Sequence, residues 1–409
     1  MKILLINKFY WLSGGAERYL FEWEKMLRAR GHEVVVFSMR HPENRPCAQE
    51  KYFAEEVRFR GALSAGQKLR AATHSVWSTE AGEKLRGLLR EEGRPDLVHL
   101  HSFMYQLTPS ILKPLAELNI PIVQTCHEYV HICAHQHLYN DRTGRTCEAC
   151  LTHGRLSPLW TRCMKGSFAA SAAGWLAGVA ARRVGLTHKR IRRFVAVSEF
   201  MRGKLIAGGL QADRVVHLPN FIDPASVQPS ADAGGYMLFL GRLVPQKGVA
   251  TFLRAAEVAP DVPCKMAGDG PMETFARNFL RERKLRNVEL LGKLDGDKLW
   301  QTVRAARAVV VPSEWHEPFG LVILEAMAAA RPVIASRVAG PAEIVAHEKD
   351  GLLFSPFSAE ELSSAMRALW ADPQRAIAMG REGRSKVEIE YNAERHYERM
   401  MRLFEEAMR

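Results

Sequence analysis

The sequence predicts an α/β fold of two Rossmann-like domains, each a parallel sheet flanked by helices, facing each other across a cleft. Three observations lead there. Short apolar runs alternate with helical segments along the whole chain, the pattern of repeated strand–helix–strand units that builds a parallel sheet covered on both faces. The second half repeats the style of the first. At 409 residues the chain is too long for one ordinary core, and PASVQPSADAGG at 224–235 has linker composition.

The elements follow in order. Ile3 to Ile6 is a buried strand ending at polar Asn7. A Gly14-Gly15 loop opens a helix from about Ala16, because Ala16, Leu20, Trp23 and Leu27 share one helical stripe. Gly31 ends that helix and HEVVVFS is the next strand. PDLVHLHS and IPIVQTC are strands entered through proline turns, and FVAVSEF and VVHLPNF complete the first domain, residues 1–224. YMLFLGR, CKMAG, VELLG, AVVVPS, PVIAS and GLLF are the strands of the second, residues 225–390.

Composition narrows the classes. With 47% hydrophobic and 25% charged residues the chain reads as a soluble globular protein. A net charge of +12 favours an anionic partner. The start, MKILLINKFYWLSGGAER, lacks a signal-peptide pattern, and no stretch of eighteen apolar residues occurs. Seven cysteines without a secretory signal argue for a reducing cytoplasm. Residues 149–198 hold nine Lys or Arg and no Asp or Glu. The segment 155–193 is therefore a candidate contact for the inner face of the cell membrane, with a solvated basic helix as the plainer reading. Basic residues interleaved with aromatics are missing from it, so no nucleic acid is expected as partner.

Two motifs carry chemistry. Arg242 and Lys247 flank a turn after the strand YMLFL, where a guanidinium fork and a mobile ammonium can hold phosphate oxygens. Further on, Glu317-Pro318-Phe319-Gly320-Leu321 leads from a strand into a helix carrying Glu325. Gly320 permits close backbone approach, Leu321 starts the helix with free amides, and the two carboxylates can grip hydroxyls at either end of one ligand. Asp295-Gly296-Asp297 matches a D-x-D metal motif, but its place before a helix makes Asp297 an N-cap candidate.

GRLVPQKG, AGDGP, EPFGLVILEAMAAARPVIAS and AGPAEIV followed by DGLLF, together with the Gly14-Gly15-Ala16-Glu17 loop, DLVHLHS and VAVSEFMRGKLI, resemble the retaining glycosyltransferases of family 4, in family order along nearly the whole chain. The resemblance implies the GT-B fold, with an acceptor-binding first domain and a nucleotide-sugar-binding second. It implies that 391–409 is a helix returning to the first domain. Arg242 and Lys247 would bind the donor diphosphate without any metal cofactor. Glu317 would contact the donor sugar and Glu325 the ribose. Phe319, Gly320 and Leu321 would offer backbone amides, while Gly14 and Gly15 would let the first-domain loop approach the phosphates. The donor would be a UDP- or GDP-sugar and the acceptor a lipid-linked or anionic glycan in surface polysaccharide assembly; a soluble sugar phosphate is the alternative. Pro341 stands where the family often has a second glycine, which implies a stiffer loop.

The stretch TCHEYVHICAHQH at 125–137 contains H-E-x-x-H, the zinc-protease pattern. That motif needs a helix, yet IPIVQT leads straight into Cys126-His127, so His127 is expected at a strand's carboxyl end. The resemblance assigns it, with Glu128, to the active site beside donor sugar and acceptor. Downstream, Cys133, Cys147, Cys150 and Cys163 have a zinc-ribbon-like spacing within an insertion at about 132–165. A structural zinc there and free thiols are both open readings.

Overall fold

A computed structural model describes residues 1–57, 64–183 and 190–409 of the chain. It contains two compact units, Met1–Leu218 joined by Tyr397–Arg409, and Pro219–His396.

The first unit is built on a six-stranded sheet. Its strands are β1 (Lys2–Ile6), β2 (Glu33–Phe37), β3 (Leu97–Leu100), β4 (Ile122–Cys126), β7 (Ile191–Ala196) and β8 (Val215–His217). The order is β2-β1-β3-β4-β7-β8, with every pairing parallel. Ile3 pairs with Val34 on one side and Leu97 on the other. These strands read as unbroken apolar runs because both faces are covered. The helix Gly15–Ala29 covers one face with Leu20, Trp23 and Leu27, all buried. The C-terminal helix Ala393–Met408 meets Trp23 and His99 through Phe404, with ring centroids 6.0 and 5.2 Å apart.

The second unit repeats the plan. Its strands are β9 (Met237–Leu240), β10 (Cys264–Ala267), β11 (Val288–Gly292), β12 (Ala308–Val311), β13 (Val333–Ser336) and β14 (Gly351–Phe354). Their order is β11-β10-β9-β12-β13-β14, again all parallel. Phe239 and Phe252 pack at 5.5 Å in a core of Met, Val and Ala side chains.

In both sheets the chain works outward from a central strand and then crosses back to the strand on its other side. The reversals lie between β1 and β3, and between β9 and β12. At such a switch point the loops after the two strands diverge and leave a crevice at the carboxyl ends.

Two local expectations need correction or limits, and one element is new. Within the insertion, Tyr139–Asn140 (β5) and Arg145–Thr146 (β6) form an antiparallel hairpin around Gly144, whose φ is +65°. Asp295, not Asp297, occupies the N-cap of the helix Gly296–Arg304, and it makes no side-chain cap hydrogen bond; Asp297 sits in the first turn. Within the basic segment, the helix Phe168–Arg183 is formed, while Lys189 lies outside the described residues.

Candidate active site

The switch point of the second sheet gathers most of the chemistry read from the sequence. After β9 the chain turns at Gly241, and Arg242 follows, exposed and, among the described residues, without an ion-pair partner. Gly241 N–H donates to Ala267 O at 3.0 Å and Leu243 N–H to Asp269 O at 2.6 Å, which fixes the turn. A single helical turn, Pro245–Lys247, leads to Gly248 with φ +71°. A Cβ on Gly248 would lie 1.8 Å from the Pro312 carbonyl oxygen. Glycine thus lets this turn lie flat against the end of β12 and brings Lys247 to Glu317.

Lys247 Nζ stands 2.6 Å from both Glu317 carboxylate oxygens. Ser313 Oγ donates to Glu317 Oε2 at 2.7 Å and Trp315 Nε1 donates to the same oxygen at 3.0 Å. Burial pushes the Glu317 carboxyl up, but Lys247 and these hydrogen bonds outweigh it and hold the group below the usual carboxylate range. Backbone bonds from Glu317 N–H to Trp315 O at 2.7 Å and from Gly340 N–H to Glu317 O at 3.0 Å keep the residue in place.

Beyond it, Phe319 is buried and meets Tyr391 at 6.1 Å. Gly320, φ +98°, is the N-cap of the helix Leu321–Ala328. That helix has no acidic residue in its first turn, so its leading amides are available to an anionic or hydroxylated ligand. Gly340 packs so closely that a Cβ there would sit 2.6 Å from Phe319 Cα. Glu325 is buried on the same helix. The structure therefore brings Lys247 and Glu317 into contact, places Arg242 on the same loop as Lys247, and puts Glu325 about one turn along the helix that Glu317 precedes. Ser313 and Trp315 are additions that sequence reasoning missed; their position at the end of AVVVPSEW was the available signal.

The first sheet gathers a second cluster at its own switch point. His127 follows β4, and its Nε2 lies 3.2 Å from His101 Nδ1 at the end of β3. The two rings are nearly parallel at 11°, and Tyr19 approaches the His127 ring edge-on at 5.2 Å. Burial lowers the His127 imidazole to about 4, with Lys8 adding to the effect and Glu128 opposing it. Burial also holds His101 well below the usual imidazole range, helped by His99 and His127. Lys8, just after β1, pairs with Glu128 at 3.0 Å. Asn7 Oδ1 accepts from Ser102 N–H at 3.0 Å and Asn7 Nδ2 donates to Glu17 Oε1 at 3.3 Å, tying the β1 and β3 ends to the first helix. Burial raises the Glu17 carboxyl. Gly14 caps that helix with φ −179°, an extended backbone open to any residue, and Gly15 begins it. Sequence reasoning did not assign Lys8, Asn7 or His101 to a site; their place after β1 and β3 was the available signal.

The zinc-protease reading of H-E-x-x-H is overturned. Residues 127–131 are not helical, His131 Nε2 lies 2.8 Å from Gln124 Oε1, and Glu128 is held by Lys8. Among the described residues no group of three or more His, Cys, Asp or Glu side chains stands in a ligating arrangement, and this includes Cys133, Cys147, Cys150 and Cys163 as they are placed. None of the seven cysteines is joined in a disulfide.

Comparison with known proteins places both halves of the chain in one family. A profile described as Glycosyl transferases group 1 matches residues 226–386, and one described as Glycosyltransferase Family 4 matches residues 13–226. A glycogen synthase of Mycobacterium tuberculosis is 27% identical over 424 aligned residues, covering 96% of this chain and 91% of the relative. Sucrose-phosphate synthase from Thermosynechococcus elongatus superposes with a TM-score of 0.72 at 21% identity, covering 99% of this chain and 98% of that one. Anabaena HepE, solved in complex with UDP-glucose, gives 0.71 at 18% identity, covering 99% and 100%. The chain belongs to glycosyltransferase family 4.

Proposed function

We propose that the protein is a retaining, metal-independent glycosyltransferase that moves a sugar from a UDP- or GDP-sugar to an acceptor hydroxyl. The observation that carries the reading is the buried Glu317 carboxylate gripped by Lys247, Ser313 and Trp315 beside an exposed Arg242. Such a group is already ionised and oriented before substrate arrives. A donor diphosphate drawn to Arg242 and Lys247 would bring its sugar to Glu317, whose charge suits sugar hydroxyls and a positively charged anomeric carbon. Glu325 would take ribose hydroxyls, and the amides of Phe319, Gly320 and Leu321 would face sugar and phosphate. As the bond from anomeric carbon to phosphate oxygen breaks, the two cations would stabilise the departing charge. The acceptor oxygen would attack from the same face, giving its proton to the leaving phosphate. His127, neutral in its buried setting, would position the acceptor or contact the donor sugar.

A lipid-linked acceptor at a membrane surface has its own support. Leu156, Trp160, Phe168 and Leu176 are exposed by 48–56% within a stretch that carries only basic charge. Their helices, Ser157–Thr161 and Phe168–Arg183, pack on one another. Exposed aromatics among cations suit an anionic bilayer interface. The glycogen synthase and HepE relatives make glucose a first donor sugar to test.

The test is transfer from a panel of UDP- and GDP-sugars, with the product anomer assigned by proton NMR. Product with the donor's own anomeric configuration is expected; the inverted anomer rules out the mechanism. Sedimentation with phosphatidylglycerol vesicles tests the acceptor. Binding that weakens at high salt and after Trp160→Ser with Phe168→Ser is expected, and no salt-sensitive binding removes the membrane reading.

A further inference from the structure

His101 stands behind His127 in the first sheet and touches it through a single pair of ring nitrogens. His99 on β3 and His101 just past its end are two residues apart, so both rings lie on one face of the sheet. β4 runs alongside with Gln124 level with Leu100, which brings His127 beside His101. The His101 backbone is held on both sides. Its N–H donates to Ile6 O at 2.8 Å, and Gln124 Nε2 donates to its carbonyl at 3.2 Å. Tyr19, on the helix Gly15–Ala29, packs against both imidazoles, with ring centroids 5.8 Å from His101 and 5.2 Å from His127. The His99 ring stands 4.2 Å from that of His101. His101 is 1% exposed, whereas His127 is partly accessible.

His101 Nδ1 lies 3.2 Å from His127 Nε2, with the two rings 11° from parallel. His101 Nε2 is buried and has no hydrogen-bond partner among the described residues. Burial keeps both rings neutral at pH 7, so one proton lies between the facing nitrogens. Two tautomer pairs satisfy that contact. In the first, His127 donates from Nε2, and the proton of His101 is left on its Nε2 as a buried N–H with nothing to bond. In the second, His101 donates from Nδ1, and its Nε2 carries only a lone pair. An orphaned buried N–H is the rarer and costlier defect; an acceptor without a donor is tolerated more readily. The second pair therefore prevails. The hydrogen bond made by one ring nitrogen fixes the state of the other, so the His127 proton sits on Nδ1. That nitrogen makes no hydrogen bond among the described residues.

We propose that His101 is a positioning residue: by donating Nδ1–H to His127 Nε2 it fixes His127 as an Nδ1–H donor, offered to a hydroxyl oxygen of the sugar substrates and unable to serve as a general base. The inference rests on the reading that His127 meets the donor sugar or the acceptor. It assigns His127 a single task, to orient an oxygen through its lone pair. Proton removal from the acceptor is left to the departing phosphate.

The test uses the full chain with isotopically labelled histidine, because nitrogen NMR separates protonated from bare ring nitrogens. Signals are assigned by their loss in His127→Gln and in His101→Asn. At pH 7 the proton is expected on Nδ1 of both rings. His101→Asn keeps an N–H donor close to the place of Nδ1 and should preserve the His127 tautomer; His101→Leu removes the donor and should give a mixture of tautomers. With the nucleotide-sugar that raises the melting temperature, kcat/KM for transfer should fall about 10-fold in His101→Leu and recover in His101→Asn. A merely structural role would make activity follow the melting temperatures of the two variants and leave the tautomer unmoved. The His127 Nδ1 signal should move with that nucleotide-sugar and not with its nucleoside diphosphate if the hydroxyl is the donor's, or with the free sugar if it is the acceptor's. A proton on His127 Nε2 in the wild type overturns the proposal, as does an unchanged tautomer in His101→Leu, or an Nδ1 signal that none of these ligands moves. Failure of the wider reading is distinct: then no nucleotide-sugar raises the melting temperature, whichever tautomer His127 shows.

Discussion

Lys247 and Glu317 form a near-symmetric ion pair, with the ammonium 2.6 Å from each carboxylate oxygen and the carboxylate buried. Removing the cation leaves a buried charge with only neutral donors. Lys247→Ala should cost about 2–4 kcal/mol at pH 7, by chemical denaturation. The sign with pH follows from the depressed Glu317 carboxyl. Its contribution is present above the ordinary carboxylate value and lost as pH falls through the folded one. The difference between wild type and Lys247→Ala should therefore shrink below about pH 4. No cost at pH 7, or a cost still undiminished at about pH 2, would show that the pair does not stabilise the fold.

Arg242 presents the converse case. It is exposed and unpaired among the described residues, so Arg242→Ala should leave stability within about 0.5 kcal/mol of wild type. Nucleoside-diphosphate affinity should nevertheless fall about 10- to 100-fold, the loss of a charge-assisted contact. Calorimetric titration with UDP and GDP measures it. Unchanged affinity would remove Arg242 from the donor site.

Gly248 ties the two motifs together through sterics. With φ +71° and a would-be Cβ 1.8 Å from Pro312 O, Gly248→Ala must push the Lys247 turn off the end of β12. We expect a loss of about 2–4 kcal/mol together with loss of donor binding. A stable variant with full activity would mean the close approach is dispensable.

His127 and His101 are both buried enough to resist protonation. For His127 the folded value is about 4, below the ordinary 6.5, so the unfolded chain binds more protons between those limits. Stability is complete above about pH 6.5 and falls as pH drops through that window. A melting profile from pH 7.5 to 5 should be flatter in His127→Gln than in wild type. Parallel profiles would contradict the buried neutral imidazole.

Much of this was legible in the sequence for a physical reason. A strand covered on both faces must be an apolar run, so IKL-type segments such as KILLI, LVHL, MLFL and AVVV announced themselves, and parallel order followed from the helices between them. Arg242, Lys247 and Glu317 were legible because a switch point puts strand ends and their turns together. What stayed hidden depends on long-range contact. Nothing local in Asn7, Lys8 or His101 shows that β1 and β3 are neighbours, nor that Lys8 reaches Glu128, 120 residues away. The β5–β6 hairpin escaped because its strands are two residues each, too short for an alternating pattern to register. H-E-x-x-H carried little weight because a short motif is silent about the backbone that carries it; IPIVQT already put His127 at a strand end, and His127 and His131 take different partners.

The central claim is that the Arg242, Lys247 and Glu317 cluster holds the diphosphate and sugar of a nucleotide-sugar. The most direct measurement is a thermal-shift panel of UDP-, GDP- and ADP-sugars on the wild type and on Arg242→Ala, since a ligand bound only by the folded state raises the melting temperature. The account predicts a concentration-dependent rise with at least one UDP- or GDP-sugar and its loss in Arg242→Ala. No shift with any member of the panel, or an equal shift in the variant, would contradict it.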